Sequence, residues 1–172
     1  EGRHRPRATV SRERVLARIR EVGIVPAVRA ESAEEAGRAI AAIMAGGVPV
    51  FEVTMTVPGA VRLIEDLVHR FGSEAVVGAG TVLDPETARA CILAGAQFVV
   101  SPATNAATIA CCRRYGVPVM PGALTPTEVV AAWEAGADMV KVFPCSAVGG
   151  ASYIKALKAP LCQIDLIPTG GV

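Results

Sequence analysis

The chain has 172 residues and a net charge of +1; 52% of the residues are hydrophobic and 19% are charged. A chain of this length and composition can bury the core of a single domain, which excludes intrinsic disorder. No apolar run reaches the roughly 18 residues that a membrane-spanning helix needs, and no signal peptide is visible. The sequence therefore predicts a soluble protein of the cytoplasm with no membrane partner.

The five cysteines agree with that location. Their number is odd, they show no C-x-x-C spacing, and each lies among apolar residues. This pattern predicts reduced, buried thiols rather than disulfides or a zinc site. No carboxylates and histidines cluster with metal-ligand spacing, and both His4 and His69 are expected at the surface. The sequence therefore favours chemistry without a metal or another cofactor.

Residues 1–22 are predicted to form a tail and a leading helix, and residues 23–172 one further domain. Seven of the fourteen arginines precede residue 21, so a nucleic-acid patch is one interpretation of this segment. The other is an ordinary amphipathic helix over 11–21, with Val15, Ile19 and Val22 on one side. Because aromatic side chains for stacking are nearly absent, the second interpretation is favoured, and no nucleic-acid partner is expected.

Seven short apolar runs follow, separated by helical segments that end in glycine. Parallel strands buried on both faces have this appearance, and each connection is long enough for a crossover helix. Helix starts are signalled by Ser32 with Glu35, by Asp84 before a proline, and by Thr125 with Glu128. The runs are 24–28, 48–54, 75–80, 97–101, 117–120, 139–143 and 165–168.

An open doubly wound sheet and a (β/α)₈ TIM barrel both fit this alternation of strands and helices. No G-x-G-x-x-G follows the first strand, which disfavours a dinucleotide-binding sheet. Polar residues lie in or after many different strands, as a barrel with one convergent site requires: Glu52, Thr54, Thr81, Ser101, Lys141 and Thr169. The sequence thus predicts a barrel that stops after its seventh strand, with unpaired edges on the first and seventh strands.

Lys141 is the strongest candidate for a catalytic residue. It lies within the apolar run 139–143, where alternation places Met139, Lys141 and Phe143 on one face. If that face is the barrel interior, desolvation lowers the pKa of the amine, as attack on a carbonyl requires. The alternative is a lysine at a sheet edge, with its stem packed and its ammonium group in water.

Glu52 is the matching carboxylate, because Val50, Glu52 and Thr54 share one face of the second strand. A buried carboxylate needs a partner, so Glu52 forms either a structural ion pair with Lys141 or a nucleophile and acid/base pair with it.

In a third motif, Thr169 precedes Gly170 and Gly171, whose backbone N–H groups can approach an anion closely. Barrels often bind phosphate after strands 7 and 8.

Six motifs in order resemble the 2-keto-3-deoxy-6-phosphogluconate (KDPG) and 4-hydroxy-2-oxoglutarate (KHG) aldolases: FEVTMTVPGA, VVGAGTVLDPE, AGAQFVVSPATN, PVMPGALTPTE, VKVFP and PTGGV. The resemblance implies a class I aldolase on a (β/α)₈ barrel, usually a homotrimer. The implied reaction is reversible cleavage of KDPG, a phosphorylated keto acid, to pyruvate and glyceraldehyde 3-phosphate. The sequence leaves open a phosphogalactonate-type substrate, and also 4-hydroxy-2-oxoglutarate, which is cleaved to pyruvate and glyoxylate.

The resemblance also assigns roles to individual residues. Lys141 matches the Schiff-base lysine and Glu52 the glutamate that shuttles protons. Thr81 matches a residue that contacts the pyruvate portion. Residues that line the pocket in the family are matched by Pro102, Phe143 and Thr169. The backbone groups that bind phosphate are matched by Gly170 and Gly171.

Two departures from the family pattern stand out. Thr56 replaces an arginine that binds the substrate carboxylate in many members, so Thr56 is expected to offer an uncharged hydrogen bond, with Arg29 as a candidate for the charge. The family's eighth strand, which carries a phosphate-binding serine, is absent from the sequence. The expectation is therefore a truncated reading of a longer gene. The alternatives are an inactive or non-catalytic remnant, and a different phosphate-binding barrel enzyme.

Overall fold

The computed structural model describes residues 11–171. The tail expected at residues 1–9, with His4, lies outside them, as does Val172. The α-helices of the described part are α1 (Arg12–Val22), α2 (Ala33–Ala45), α3 (Ala60–Phe71), α4 (Pro85–Leu93), α5 (Ala106–Arg114), α6 (Pro126–Glu134) and α7 (Ala151–Lys158). A short 3₁₀ helix spans Ser146–Val148.

The strands are β1 (Ala27–Val28), β2 (Val50–Thr54), β3 (Val76–Gly80), β4 (Phe98–Val100), β5 (Val119–Met120), β6 (Gly122–Ala123), β7 (Val140–Val142) and β8 (Leu166–Pro168). All pairings are parallel, in the order β1 to β5 in one sheet and β6 to β8 in another. Every predicted strand run contributes at least one of these strands, in chain order.

The fifth predicted run differs from the expectation, because it continues to Ala123 and divides into β5 and β6 at Pro121. Proline has no N–H to donate to a ladder, which explains the interruption. The Pro121 carbonyl still accepts the N–H of Lys141, 2.9 Å away, so the break does not detach β7. Within residues 11–171, β1 and β8 each pair on one side only.

Alternate residues of the strands pack on opposite sides, as predicted for a barrel. The interior cluster contains Val50, Val76, Phe98, Met120 and Met139. Their neighbours in sequence pack outward against the helices instead: Phe51, Val53, Val77 and Val99 in one cluster, and Val140 and Val142 in another. The period of two in the sequence therefore sorts side chains between the interior and the helical layer.

Helix α1 closes the end of the barrel where the strands begin. Its buried Val15 and Ile19 belong to the interior cluster. Arg12 and Arg20 form ion pairs with Asp138 and Asp165, which lie just before β7 and β8. Because α1 occupies this end, a ligand has to approach the interior from the carboxyl ends of the strands.

The helix starts agree with the sequence signals at two of three places. Asp84 caps α4, and Thr125 with Glu128 forms a complete capping box on α6. At α2 the Ser32 hydroxyl accepts the Glu35 N–H, but the Glu35 carboxylate accepts the N–H of Glu31 rather than that of Ser32. The box predicted there is therefore only half formed.

One prediction about the cysteines is wrong. Cys91, Cys111, Cys112 and Cys145 are buried free thiols, but Cys162 is exposed in the turn after α7. Its apolar sequence neighbours misled the prediction, because Leu161 and Ile164 pack against the core whereas Cys162 faces solvent. Among residues 11–171, no helix is long and apolar enough to cross a membrane, and no group of three potential ligands could hold a metal ion.

The Arg12–Asp138 pair should contribute to stability more than the other ion pairs of α1. The Asp138 side chain is 2% exposed and also accepts the Val119 N–H. We expect Arg12→Met to lower the free energy of unfolding by about 2 kcal/mol, because it leaves a buried carboxylate without its cation. The matched control is Arg18→Met, which breaks an exposed pair with Glu21 and should cost less than about 1 kcal/mol. Urea unfolding measures both values, and equal losses would contradict the account.

Candidate active site

Lys141 lies at the centre of β7 and points into the barrel. It is 6% exposed, and its strand register pairs it with Gly122 of β6 and Ile167 of β8. Met139, two residues earlier on the same face, belongs to the interior cluster, and Ile167, in register on β8, packs against it. The Lys141 side chain therefore faces the interior as well. The Nζ atom lies 5.1 Å from the centroid of the Phe143 ring. The interpretation of Lys141 as a lysine at a sheet edge is therefore wrong.

Glu52 lies at the centre of β2 and also points inward. It is 5% exposed and pairs in register with Ala27 and Gly78. Its carboxylate packs over the backbone of Gly80, the last residue of β3, so closely that a Cβ there would overlap it. The structure thus brings Glu52 and Lys141 from opposite sheets to one interior.

Three glycines on the strands allow close packing around the site, and of these Gly80 leaves the space that the Glu52 carboxylate occupies. A Cβ at Gly78 would overlap the Phe98 ring, and one at Gly122 would overlap the backbone carbonyl of Pro102. Gly78, Gly80 and Gly122 all occupy strand positions, where glycine marks a close approach of neighbouring atoms. These three glycines were not predicted as site residues from the sequence. Their inward positions on buried strands could have indicated that neighbouring atoms come close to the backbone there.

Burial and charge act in opposite directions on both ionisable groups. Burial raises the pKa of Glu52, while the charges of Lys141 and Arg29 oppose that rise. Burial lowers the pKa of Lys141, the negative charge of Glu52 opposes the fall, and Arg29 adds to it. Desolvation dominates in both cases, so each group is shifted toward its neutral form. Lys141 therefore supplies an unprotonated amine more readily than an exposed lysine does.

Arg29 directly follows β1 at the carboxyl end of the strand, close enough for its charge to act on Glu52 and Lys141. Ala27 is in register with the inward-pointing Glu52, and Val28 packs outward, so Arg29 follows on the inward side of the strand end. Its positive charge acts on both Glu52 and Lys141. It forms no ion pair with any residue from 11 to 171, which leaves its guanidinium group available for an anion.

Thr56 is arranged differently from the expectation. The Thr54 hydroxyl donates its only proton to the Val28 carbonyl at 2.9 Å, and the two threonine hydroxyl oxygens lie 2.7 Å apart. The Thr56 hydroxyl must therefore donate to Thr54, and only its acceptor lone pairs face outward. In this arrangement Thr56 offers no proton to a carboxylate, because its hydroxyl instead fixes the end of β2.

The remaining candidates lie around the carboxyl ends of the strands. Thr81 directly follows β3, and Thr169 directly follows β8. Pro102 and Phe143 line the same surface depression. The Thr169 hydroxyl donates to the Ile167 carbonyl at 3.3 Å, and its N–H donates to Val142, which ties the loop after β8 to β7.

Gly170 and Gly171 form a loop that only glycine fits comfortably. Both have positive φ angles, of 86° and 75°, where a side chain would be strained. The N–H of Cys145 donates to the Thr169 carbonyl, and that of Ser146 donates to the Gly170 carbonyl, which fixes the loop. Within the described chain the amide N–H groups of Gly170 and Gly171 have no acceptor. They remain available as backbone donors to an anion.

Together these groups can carry out carbonyl chemistry. A buried amine and a buried carboxylate share the barrel interior, with the charge of Arg29 close to both and the backbone donors of Gly170 and Gly171 after β8. An amine of lowered pKa can condense with a ketone, and a carboxyl group of raised pKa can both accept and donate a proton. The arrangement therefore suits a substrate with a ketone and anionic groups at its ends.

Comparisons with known proteins agree with this geometry. The family model for KDPG and KHG aldolases matches residues 15–172. The 2-dehydro-3-deoxy-phosphogluconate aldolase of Treponema pallidum is 37% identical over 154 residues, which cover 90% of this chain and 73% of the relative. The KHG/KDPG aldolase of Escherichia coli K12 is 35% identical, with coverage of 87% and 70%.

A solved structure extends the similarity to the fold. The KDPG aldolase of Legionella pneumophila, with pyruvate captured as a covalent carbinolamine intermediate, superposes with a TM-score of 0.84 at 29% identity. The match covers 95% of this chain and 77% of that one. The (β/α)₈-type fold predicted from the sequence is thereby confirmed.

The electrostatics of the cavity can be tested by titrating Lys141. We expect its pKa to lie below the 10.5 of an ordinary lysine, because burial disfavours the ammonium form. Glu52→Gln removes the charge that opposes this shift and should lower the pKa further, whereas Arg29→Leu should raise it. The chain has only three lysines, so NMR of labelled lysine side chains can follow each one. A Lys141 that titrates at or above 10.5 would contradict the account.

Proposed function

The chain belongs to the KDPG and KHG aldolase family, and on that premise we propose that it cleaves KDPG reversibly to pyruvate and glyceraldehyde 3-phosphate through a Schiff base on Lys141. The observation that carries the proposal is that Lys141 and Glu52 are both buried in the barrel interior, where each acts on the charge of the other and the pKa of each is shifted toward its neutral form. No other pair of buried, oppositely charged side chains in residues 11–171 lies in the barrel interior.

The first step is addition of the unprotonated Lys141 amine to the C2 ketone. This forms a carbinolamine, whose hydroxyl leaves as water once it accepts a proton from the neutral carboxyl group of Glu52. The product is a protonated Schiff base between Lys141 and C2. The raised pKa of Glu52 supports this role, because burial lets the carboxyl group keep its proton to a higher pH than an exposed glutamate does.

The second step breaks the C3–C4 bond. The Glu52 carboxylate removes the proton of the C4 hydroxyl, directly or through water, and C4 becomes the aldehyde carbon of glyceraldehyde 3-phosphate. The bonding electron pair moves onto C3 and neutralises the iminium as an enamine. Protonation of C3 by Glu52 and addition of water to C2 then release pyruvate and return Lys141 to its starting form.

The ends of the substrate are bound by different groups. Arg29 pairs with the carboxylate, since its charge acts on both Glu52 and Lys141 and Thr56 donates its proton elsewhere. The free N–H groups of Gly170 and Gly171 bind the phosphate. The pyruvate portion lies against the groups on the rim between them: Thr81, Pro102, Phe143 and Thr169.

The proposal includes a homotrimer located in the cytoplasm. Large hydrophobic side chains on the helices and loops are exposed and would suit subunit contacts, among them Leu83, Leu93 and Trp133. The odd number of cysteines and their spacing suit reduced thiols, which supports the location.

Cleavage kinetics test the roles of the two residues. Lys141→Met should abolish production of pyruvate from KDPG, because the other two lysines, Lys155 and Lys158, lie in α7 and not on a strand of the barrel. Glu52→Gln should lower kcat by about 10²- to 10⁴-fold, the usual contribution of a general acid/base. Lys155→Met, on the exposed side of α7, serves as the control and should keep normal activity. A Lys141→Met variant that still turns over would refute the mechanism.

The Gly80→Ala variant tests whether catalysis depends on the position of the Glu52 carboxylate as well as on its presence. Gly80→Ala places a methyl group against the Glu52 carboxylate, and we expect kcat to fall by roughly 10²-fold because misplaced groups lose near-attack geometry. Gly37→Ala is the matched control, since Gly37 lies in α2 with no atom within 4 Å of an added Cβ. If both variants keep full activity while folded, the carboxylate does not need its observed position.

A further inference from the structure

A depression beside Lys141 contains two polar side chains, Thr104 and Glu128, that have no role in the steps above. It has a volume of about 310 Å³ and lies on the rim between the loops that follow β4 and β6. Phe143 lines it and also contacts the Lys141 amine, so the depression adjoins the reacting centre. Its lining residues are Pro102, Ala103, Thr104, Gly122, Ala123, Leu124, Glu128 and Phe143.

The polar side chains of this depression can accept hydrogen bonds, but neither has a free proton with which to donate one. Thr104 already donates its hydroxyl proton to the Gly122 carbonyl at 2.9 Å. Glu128 accepts the N–H groups of Leu124 and Thr125 on Oε2, at 2.8 and 2.9 Å. Within residues 11–171, its Oε1 atom has no donor. A ligand group bound here therefore has to bring its own proton.

Glu128 is also held in its charged form. The backbone N–H groups of Thr125 and Leu124 lower the pKa of its carboxyl group. The Leu124 peptide is fixed on both sides, because its N–H donates to Glu128 and its carbonyl accepts the Tyr153 hydroxyl. The acceptors are thus oriented before a ligand arrives, and their charge repels a phosphate or carboxylate group.

We propose that this depression binds the C5 hydroxyl of the substrate, which is the hydroxyl next to the carbonyl in glyceraldehyde 3-phosphate, and that its single proton forms a bifurcated hydrogen bond to the Glu128 carboxylate and the Thr104 hydroxyl oxygen. The inference rests on the proposed function and makes the two residues determinants of specificity for hydroxylated aldehydes. The repulsion of anions leaves the phosphate at Gly170 and Gly171.

The test compares two aldehydes in condensation with pyruvate. One is glyceraldehyde 3-phosphate, and the other is 3-phosphopropanal, which lacks only the hydroxyl. The wild-type protein should prefer the first in kcat/KM. Glu128→Gln keeps the helix cap, since glutamine also serves in a capping box, but it removes the charged acceptor. Its preference should fall by about tenfold or more, the value of a hydrogen bond to a charged group.

Two further variants complete the design. Thr104→Val should reduce the same preference, and Glu134→Gln, on α6 but outside the depression, should leave it unchanged. An unchanged preference in both Glu128→Gln and Thr104→Val, or an equal loss with both aldehydes, would overturn the inference. A wild-type protein that condenses neither aldehyde would instead overturn the proposed function, so the two failures are distinct.

Discussion

The proposed chemistry of this barrel depends on one physical constraint, which is the burial of the Lys141 amine and the Glu52 carboxylate in the same apolar interior. Burial alone would neutralise both groups, and their mutual attraction alone would fix both as ions. In this barrel desolvation dominates, while the opposite charge limits the shift of each group. The result is a pair in which the pKa of each group is shifted toward its neutral form, as the proposed proton transfers require.

The fold produces this pair through strand periodicity and glycine. Alternation directs Glu52 and Lys141 inward while their neighbours Val53 and Val142 pack against helices. Glycines on β3 and β6 leave room where larger side chains would fill the interior. Helix α1 closes the opposite end with Val15 and Ile19, so the polar groups face the carboxyl ends of the strands.

Much of this could be predicted from the sequence, because it depends on local patterns. The strand runs, the inward faces of Lys141 and Glu52, and the capping box at Thr125 follow from periods and short spacings. The direction of the Thr56 proton could not be predicted, since it depends on a bond from Thr54 to Val28 across two strands. The exposure of Cys162 depends on how the turn after α7 packs, whereas the split at Pro121 follows from the proline itself. The lining around Glu128 combines local bonds with a contact between distant segments, from Thr104 to Gly122.

Borohydride reduction in the presence of pyruvate, followed by peptide mass mapping, tests the central claim most directly. If Lys141 is the Schiff-base residue, the reduced adduct will lie on the peptide that contains Lys141, and it will be absent from Lys141→Ala. The Glu52→Gln variant should still form the adduct, because the amine is intact. A folded protein that yields no adduct, or an adduct on Lys155 or Lys158, would contradict the assignment.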